Sequence, residues 1–132
     1  MSKAILAKTD GSMEIVDFDE SNSYDIIKEA IGGGTFACVT IRHEDTGTVF
    51  DMWIDDDGKL VENPQVNQLG TILWMSNYGM TDVIMGDIII TRGPDSEGRT
   101  LGLTDSDIEM IGMIITGEYE SMQEVLEDKE EV

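Results

Sequence analysis

The sequence predicts an α+β domain: a mainly antiparallel sheet of about five strands with three helices packed on it, covering one face, plus a short acidic C-terminal tail. Three observations lead there. Two pairs of strand-like runs are each joined by a short polar turn. Three segments repeat apolar residues at helical spacing between capping and breaking residues, and one further run, TDVIMGDIIITR, is dense in β-branched residues.

KAILAK (Lys3–Lys8) and MEIVDF (Met13–Phe18) flank TDGS, where Asp10-Gly11 supplies the turn chemistry of a first hairpin. Ser21-Asn22-Ser23 offers side-chain oxygens to cap a helix whose Ile26, Ile27, Ala30 and Ile31 share a face, and Gly32-Gly33-Gly34 ends it. FACVTIR from Phe36 and TVFDMWID from Thr48 form a second hairpin across His43–Gly47. Asn63-Pro64 starts a second helix, since proline at the first helical position gives up only an orphan N–H. Its stripe is Val66, Leu69, Leu73 and Trp74, and Gly79 closes it. Thr81–Arg92 is the fifth strand, and Thr104 with Asp107 resembles a capping box opening a third helix with Ile108, Ile111 and Ile115 on one side. That helix is expected to stop at Gly117, dividing the chain into a domain of residues 1–117 and an acidic helix or tail of residues 118–132. In the tail, Ser121 and Glu124 offer a cap, and Met122, Val125 and Leu126 a docking stripe.

At 132 residues the chain is long enough to bury one core without metal or disulfide staples. Twenty-eight acidic against eight basic residues give a formal charge of −20, which repels nucleic acid and anionic membranes and favours a basic partner. The last fifteen residues hold seven acids and one lysine, so most of the charge lies elsewhere. With Cys38 alone no internal disulfide forms, and the N-terminal MSKAILAKTDG lacks a long apolar run; a soluble, cytoplasmic protein follows as the expectation. Sixteen Ile against four Ala is unlike salt adaptation and resembles coding drift toward A and T.

The triple aspartate in FDMWIDDDGKLVENPQVN fails the calcium-loop template. Placing Gly58 sixth puts Trp53 first and Pro64 twelfth, and neither has a side-chain oxygen. As an extended segment it would set Asp55 and Asp57 on one face and Asp56 on the other, with no His or second carboxylate cluster to complete a metal or acid–base site. A turn after a strand is the reading adopted. Ile31–Thr35 leaves a helix instead of entering one, the reverse of a phosphate loop. Cys38 and His43, five apart, fall on opposite strand faces; Cys38 is expected as a small buried hydrophobe and His43 as a surface turn residue. Met75, Met80, Met85, Met110 and Met113 are read as core filling. No catalytic, cofactor-binding or metal-ligating residue is predicted. Trp53 and Tyr78 are more suggestive, because Trp53 alternates with Phe50, Met52 and Ile54 and shares its face with Asp51 and Asp55, the setting of a binding hot spot.

WIDDDGKLVENPQVNQLGTIL and VIMGDIIITRGPDSEGRTLGLT resemble a phage and mobile-element family catalogued as domain of unknown function 3846. The likeness runs from about Lys3 to Ile115. It departs at Asp55-Asp56 and Asn63-Pro64, where the family usually shows Asn-Glu and Leu-Pro. The resemblance implies a viral or prophage origin and a small α+β domain, and it carries no catalytic residues. Within it Gly58 permits the turn, Lys59 pairs with neighbouring acids, and Pro64 with Asn67 fixes the helix entry.

The function expected is that of a non-enzymatic accessory protein that binds a host protein with a basic surface through Asp51, Trp53, Asp55, Asp56, Asp57, Lys59 and Asn67, without direct nucleic-acid or membrane binding. A DNA mimic filling a nucleic-acid channel is the alternative. Sequestration of a nucleotide signal is a third reading, disfavoured by so few Arg and Lys to neutralise phosphates.

Overall fold

The computed structural model describes residues 2–60 and 62–130, with side chains through residue 124. Five strands, β1 (Ser2–Ala7), β2 (Met13–Phe18), β3 (Phe36–Arg42), β4 (Val49–Asp55) and β5 (Ile88–Arg92), form one sheet in the order β2-β1-β5-β4-β3. Every pairing is antiparallel. The α+β class and both hairpins are as the sequence predicts. Helices α1 (Ser23–Ala30), α2 (Gln68–Tyr78) and α3 (Asp105–Glu130) complete the fold.

The last-made strand lies in the middle. Ile88, Ile89 and Ile90 are all buried, as a strand covered on both faces requires. It is shorter than the predicted Thr81–Arg92. Gly86 at φ 84° breaks the run, and the Asp87 carboxylate accepts the Thr9 N–H at 3.0 Å, so the segment before Ile88 serves as packing for α2 instead of as strand.

Helices cover both faces of the sheet, where the sequence reading expected cover on one face only: the apolar side chains of β1, β2 and β5 that alternate away from α2 and α3 need α1 to bury them. One face buries Ile5, Ala7, Ile41, Phe50, Met52, Ile88 and Ile90 beneath α2 and α3, through Leu73 and Ile111, with Leu103 of the segment before α3. The other face buries Ala4, Phe18 and Ile89 beneath α1, through Ile27. Of the methionines read as core, Met80 and Met113 are exposed instead, while Met110 packs at the edge of the larger cluster.

The helix ends correct the sequence reading at three places. At α1, a 3-10 turn (Glu20–Asn22) comes first, capped by Asp19, whose carboxylate accepts the Ser21 N–H; Asn22 makes no side-chain cap. Gly32, Gly33 and Gly34, all at positive φ, do end it. At α2, Asn63 sits at φ 58° and Val66 bridges to Met85, so Asn63-Pro64 belongs to an irregular approach and the cap is Asn67. At α3, Thr104 and Asp107 form the reciprocal capping box, at 2.9 and 3.1 Å. The helix does not stop at Gly117. It runs on to Glu130, and Ser121 sits inside it, its hydroxyl donating to the Gly117 carbonyl at 3.1 Å instead of capping a new helix. The docking expected of Val125 and Leu126 lies outside the described side chains.

Candidate functional site

β4 divides its side chains as alternation requires. Phe50, Met52 and Ile54 join the larger core, while Trp53 joins the α1 side. The strand then ends in a built turn. The Asp55 carboxylate accepts the Asp57 N–H at 2.9 Å, the Asp55 carbonyl accepts the Gly58 N–H at 3.1 Å, and the Asp56 N–H donates to the Thr35 carbonyl at 3.0 Å. Asp55 and Asp57 are therefore bonded through the backbone and do not stand side by side as an extended pair. Gly58 acts by close approach: a Cβ there would lie 3.0 Å from the Met85 carbonyl oxygen. Lys59 pairs with Asp82, and Asp55, Asp56, Lys59, Asp82 and Trp74 line a cleft of about 230 Å³. Among the described residues no three His, Cys, Asp or Glu side chains are arranged to hold a metal ion.

Trp53 opens a surface that the sequence did not foretell. Its indole N–H donates to Thr91 Oγ1 at 2.9 Å, which fixes the ring, and its ring meets Phe36 edge-on at 5.5 Å between centroids. Phe36 in turn meets Tyr24 of α1 at 5.4 Å, and the Lys28 ammonium lies 5.7 Å from the Tyr24 ring centre. A three-ring ladder thus runs from β4 across β3 to the helix, with Tyr24 60% exposed at its outer end. Phe36 pairs with Asp55 in the register, which makes it a diagonal neighbour of Trp53. That was recoverable from the hairpin alignment, whereas Tyr24 was not.

Beside the ladder, Asp51 is buried between β3 and β5, facing Thr40 and Thr91 in the register. Burial raises its pKa, opposed by the hydrogen bond from the Cys38 thiol. Cys38 is an exposed residue, against the expectation of a buried one, with its sulfur turned to Asp51. Lost hydration and the neighbouring carboxylate push its pKa up to about 12, so it stays a thiol and is a poor nucleophile.

Asn67 cannot touch a partner, because it is 0% exposed. Its amide N–H groups donate to the Ala7 and Gly86 carbonyls at 2.9 and 2.8 Å, and its side-chain oxygen accepts the Gly70 N–H at 2.9 Å. Tyr78 is also committed, its hydroxyl donating to the Thr40 carbonyl at 2.6 Å. His43 is a turn residue, as expected, in contact with the Thr46 hydroxyl. Of the seven predicted contact residues, then, Trp53 is the inner ring of the ladder, Asp51 is buried beside it, Asp55 to Asp57 and Lys59 build the adjoining turn, and Asn67 is a structural rivet.

The sequence profile of the family described as Domain of unknown function (DUF3846) matches residues 1–119. The chain belongs to this family. The match takes in the whole sheet, α1, α2 and the first part of α3, so the ladder and the acidic turn both lie within the DUF3846 domain. No curated protein and no solved structure matches the chain. No helix among the described residues is long and apolar enough to cross a membrane.

Proposed function

We propose that this DUF3846 domain is a non-enzymatic accessory module of phage type, working in the cytoplasm of a host cell, where it binds a host protein with a basic surface and modulates or inhibits it. The observation that carries this reading is the Tyr24–Phe36–Trp53 ladder at the margin of the sheet in a chain of charge −20. Binding hot spots are built from such rigid, partly exposed aromatics. The surrounding carboxylates steer a basic partner and set the association rate more than the affinity. The phage assignment rests on the resemblance of the two motif stretches.

Capture of partners from host lysate at low and high salt, identified by mass spectrometry, gives the starting material. Tyr24→Ala is the informative change, because Tyr24 is exposed and has no structural hydrogen bond to lose among those described. It is expected to weaken the captured complex by about 1.4 kcal/mol or more, tenfold in affinity, with no competition from duplex DNA. DNA competition together with an inert Tyr24 change transfers the assignment to mimicry, in which many carboxylates act jointly and affinity falls steeply with salt.

A further inference from the structure

The two edges of the sheet are finished differently. In β3, the backbone N–H and carbonyl of Arg42 point away from β4, and the Asn77 side chain meets both, accepting at 2.8 Å and donating at 3.2 Å. The Tyr78 hydroxyl occupies the Thr40 carbonyl. The end of α2 thus stands where a sixth strand would pair, which is a standard protection against edge-to-edge association.

β2 has no such cover among the described residues. Lys8 N–H donates to the Ser12 carbonyl, and Lys3 turns its carbonyl away from β2 to the Leu103 N–H, so the even-numbered residues of β2 are the ones bonded to β1. By alternation, the N–H and carbonyl groups of Met13, Ile15 and Asp17 point outward. Met13 is 45% and Ile15 55% exposed, and the strand carries neither the lysine nor the proline that usually blunts an edge. On the α1 side, an open groove of about 480 Å³ runs beside β2, with an apolar floor that includes Leu6 and Val16; its walls include Glu29, Asp87 and one basic residue, Lys8, which is paired with Glu14 at 3.5 Å.

We infer that β2 is a strand-addition site for an extended segment of a partner protein, with lysine or arginine alternating with apolar residues. Such recognition takes its affinity from main-chain hydrogen bonds and its specificity from alternate side chains. On one face the apolar residues lie beside Met13 and Ile15; on the other, the basic residues lay their aliphatic stems along Val16 and bring their charges to Glu14 and Glu29. A second copy fits less well, since it would bring another charge of −20 against this edge. The inference rests on the basic partner proposed above but uses the opposite edge of the sheet from the ladder, so each fails separately.

The probe is the peptide acetyl-Thr-Lys-Val-Lys-Val-Lys-Thr-amide, offered to the full chain at physiological ionic strength, with amide hydrogen exchange read residue by residue. The expected result is slowed exchange at Met13, Ile15 and Asp17. N-methylation of one alternate set of peptide residues should abolish binding while N-methylation of the other leaves it, because only one set faces β2. Ile15→Pro, which removes an outward N–H at an edge position that tolerates proline, should weaken binding by about tenfold or more. The N-methylated peptides keep the test on the native protein should that variant fold poorly. Binding that survives both N-methylations, or that leaves those three amides unprotected, reduces the effect to charge attraction and overturns the inference. So does the absence of binding, and so does protection without peptide in a protein that sediments as a dimer. The Tyr24→Ala result on a captured partner is unaffected by any of these outcomes.

Discussion

On the α2/α3 side, the sheet offers seven side chains no more than 1% exposed to two helices, and all seven are apolar. On the α1 side it offers three such side chains to a single short helix, and beyond that helix the face continues with Thr91, Asp51, Cys38 and the partly buried Trp53. The two faces differ in what they cost and what they leave available. A continuous apolar layer gains from every methylene removed from water. The less covered face gives up part of that gain, retains a desolvated carboxylate, and in return presents rings that a partner can reach.

If the faces are so divided, deletions on them should differ sharply. Phe50→Ala, in the larger core, is expected to cost about 3–5 kcal/mol in urea unfolding, and Phe36→Ala, in the ladder, only about 1–2 kcal/mol. Equal costs would mean that the α1 side bears as much of the stability as the other. Next comes Asn67→Ala, expected to cost about 2–4 kcal/mol by leaving the Ala7 and Gly86 carbonyls and the Gly70 N–H without their partner. A loss confined to the α2 amides, with β1 exchange unchanged, would show that the rivet holds only the helix.

Asp51 sharpens the comparison in the opposite direction. Because burial raises its folded-state pKa, the native state holds that proton to higher pH than the unfolded chain does. Its ionisation therefore costs no stability below the ordinary carboxylate range, and the cost grows as pH rises through the interval between the unfolded and folded pKa values. Asp51→Asn should melt higher than the wild type at neutral pH, with the two curves converging in acid. A variant that melts lower at neutral pH would show that the carboxylate is held by a favourable partner. The same change should speed Cys38 alkylation only modestly, since lost hydration is the larger cause of its high pKa and remains in the variant. The smallest effect is expected at the turn: Lys59→Ala removes an exposed pair with Asp82 and should cost less than about 1 kcal/mol.

Local chemistry was readable in the sequence, and long-range closure was not. The hairpins, the glycines after α1 and the Thr104–Asp107 box each lie within a few residues, where turn and cap preferences act directly. Asn67 was counted among the partner contacts because its own partners include Ala7, 60 residues earlier, which no local pattern announces. Gly117 looked like a stop because glycine is a poor helix former, yet one such residue costs only about 1 kcal/mol in a helix anchored by Ile108, Ile111 and Ile115. In the candidate site, β4 alternation placed Asp51 and Trp53 correctly. The ladder escaped notice because Tyr24 meets Phe36 only after α1 folds over the sheet.

The central position of β5 sets the order in which the molecule is completed during synthesis. Both hairpins are encoded by the first 55 residues, but they have no edge in common: β1 and β4 each pair with Ile88–Arg92 and not with each other. Until that segment leaves the ribosome, the nascent chain holds two separate ribbons, each marginal in water by itself. A chain released before residue 88 should therefore show no cooperative melting transition. Assembly of the sheet waits for a single five-residue strand, made after both of the ribbons it joins.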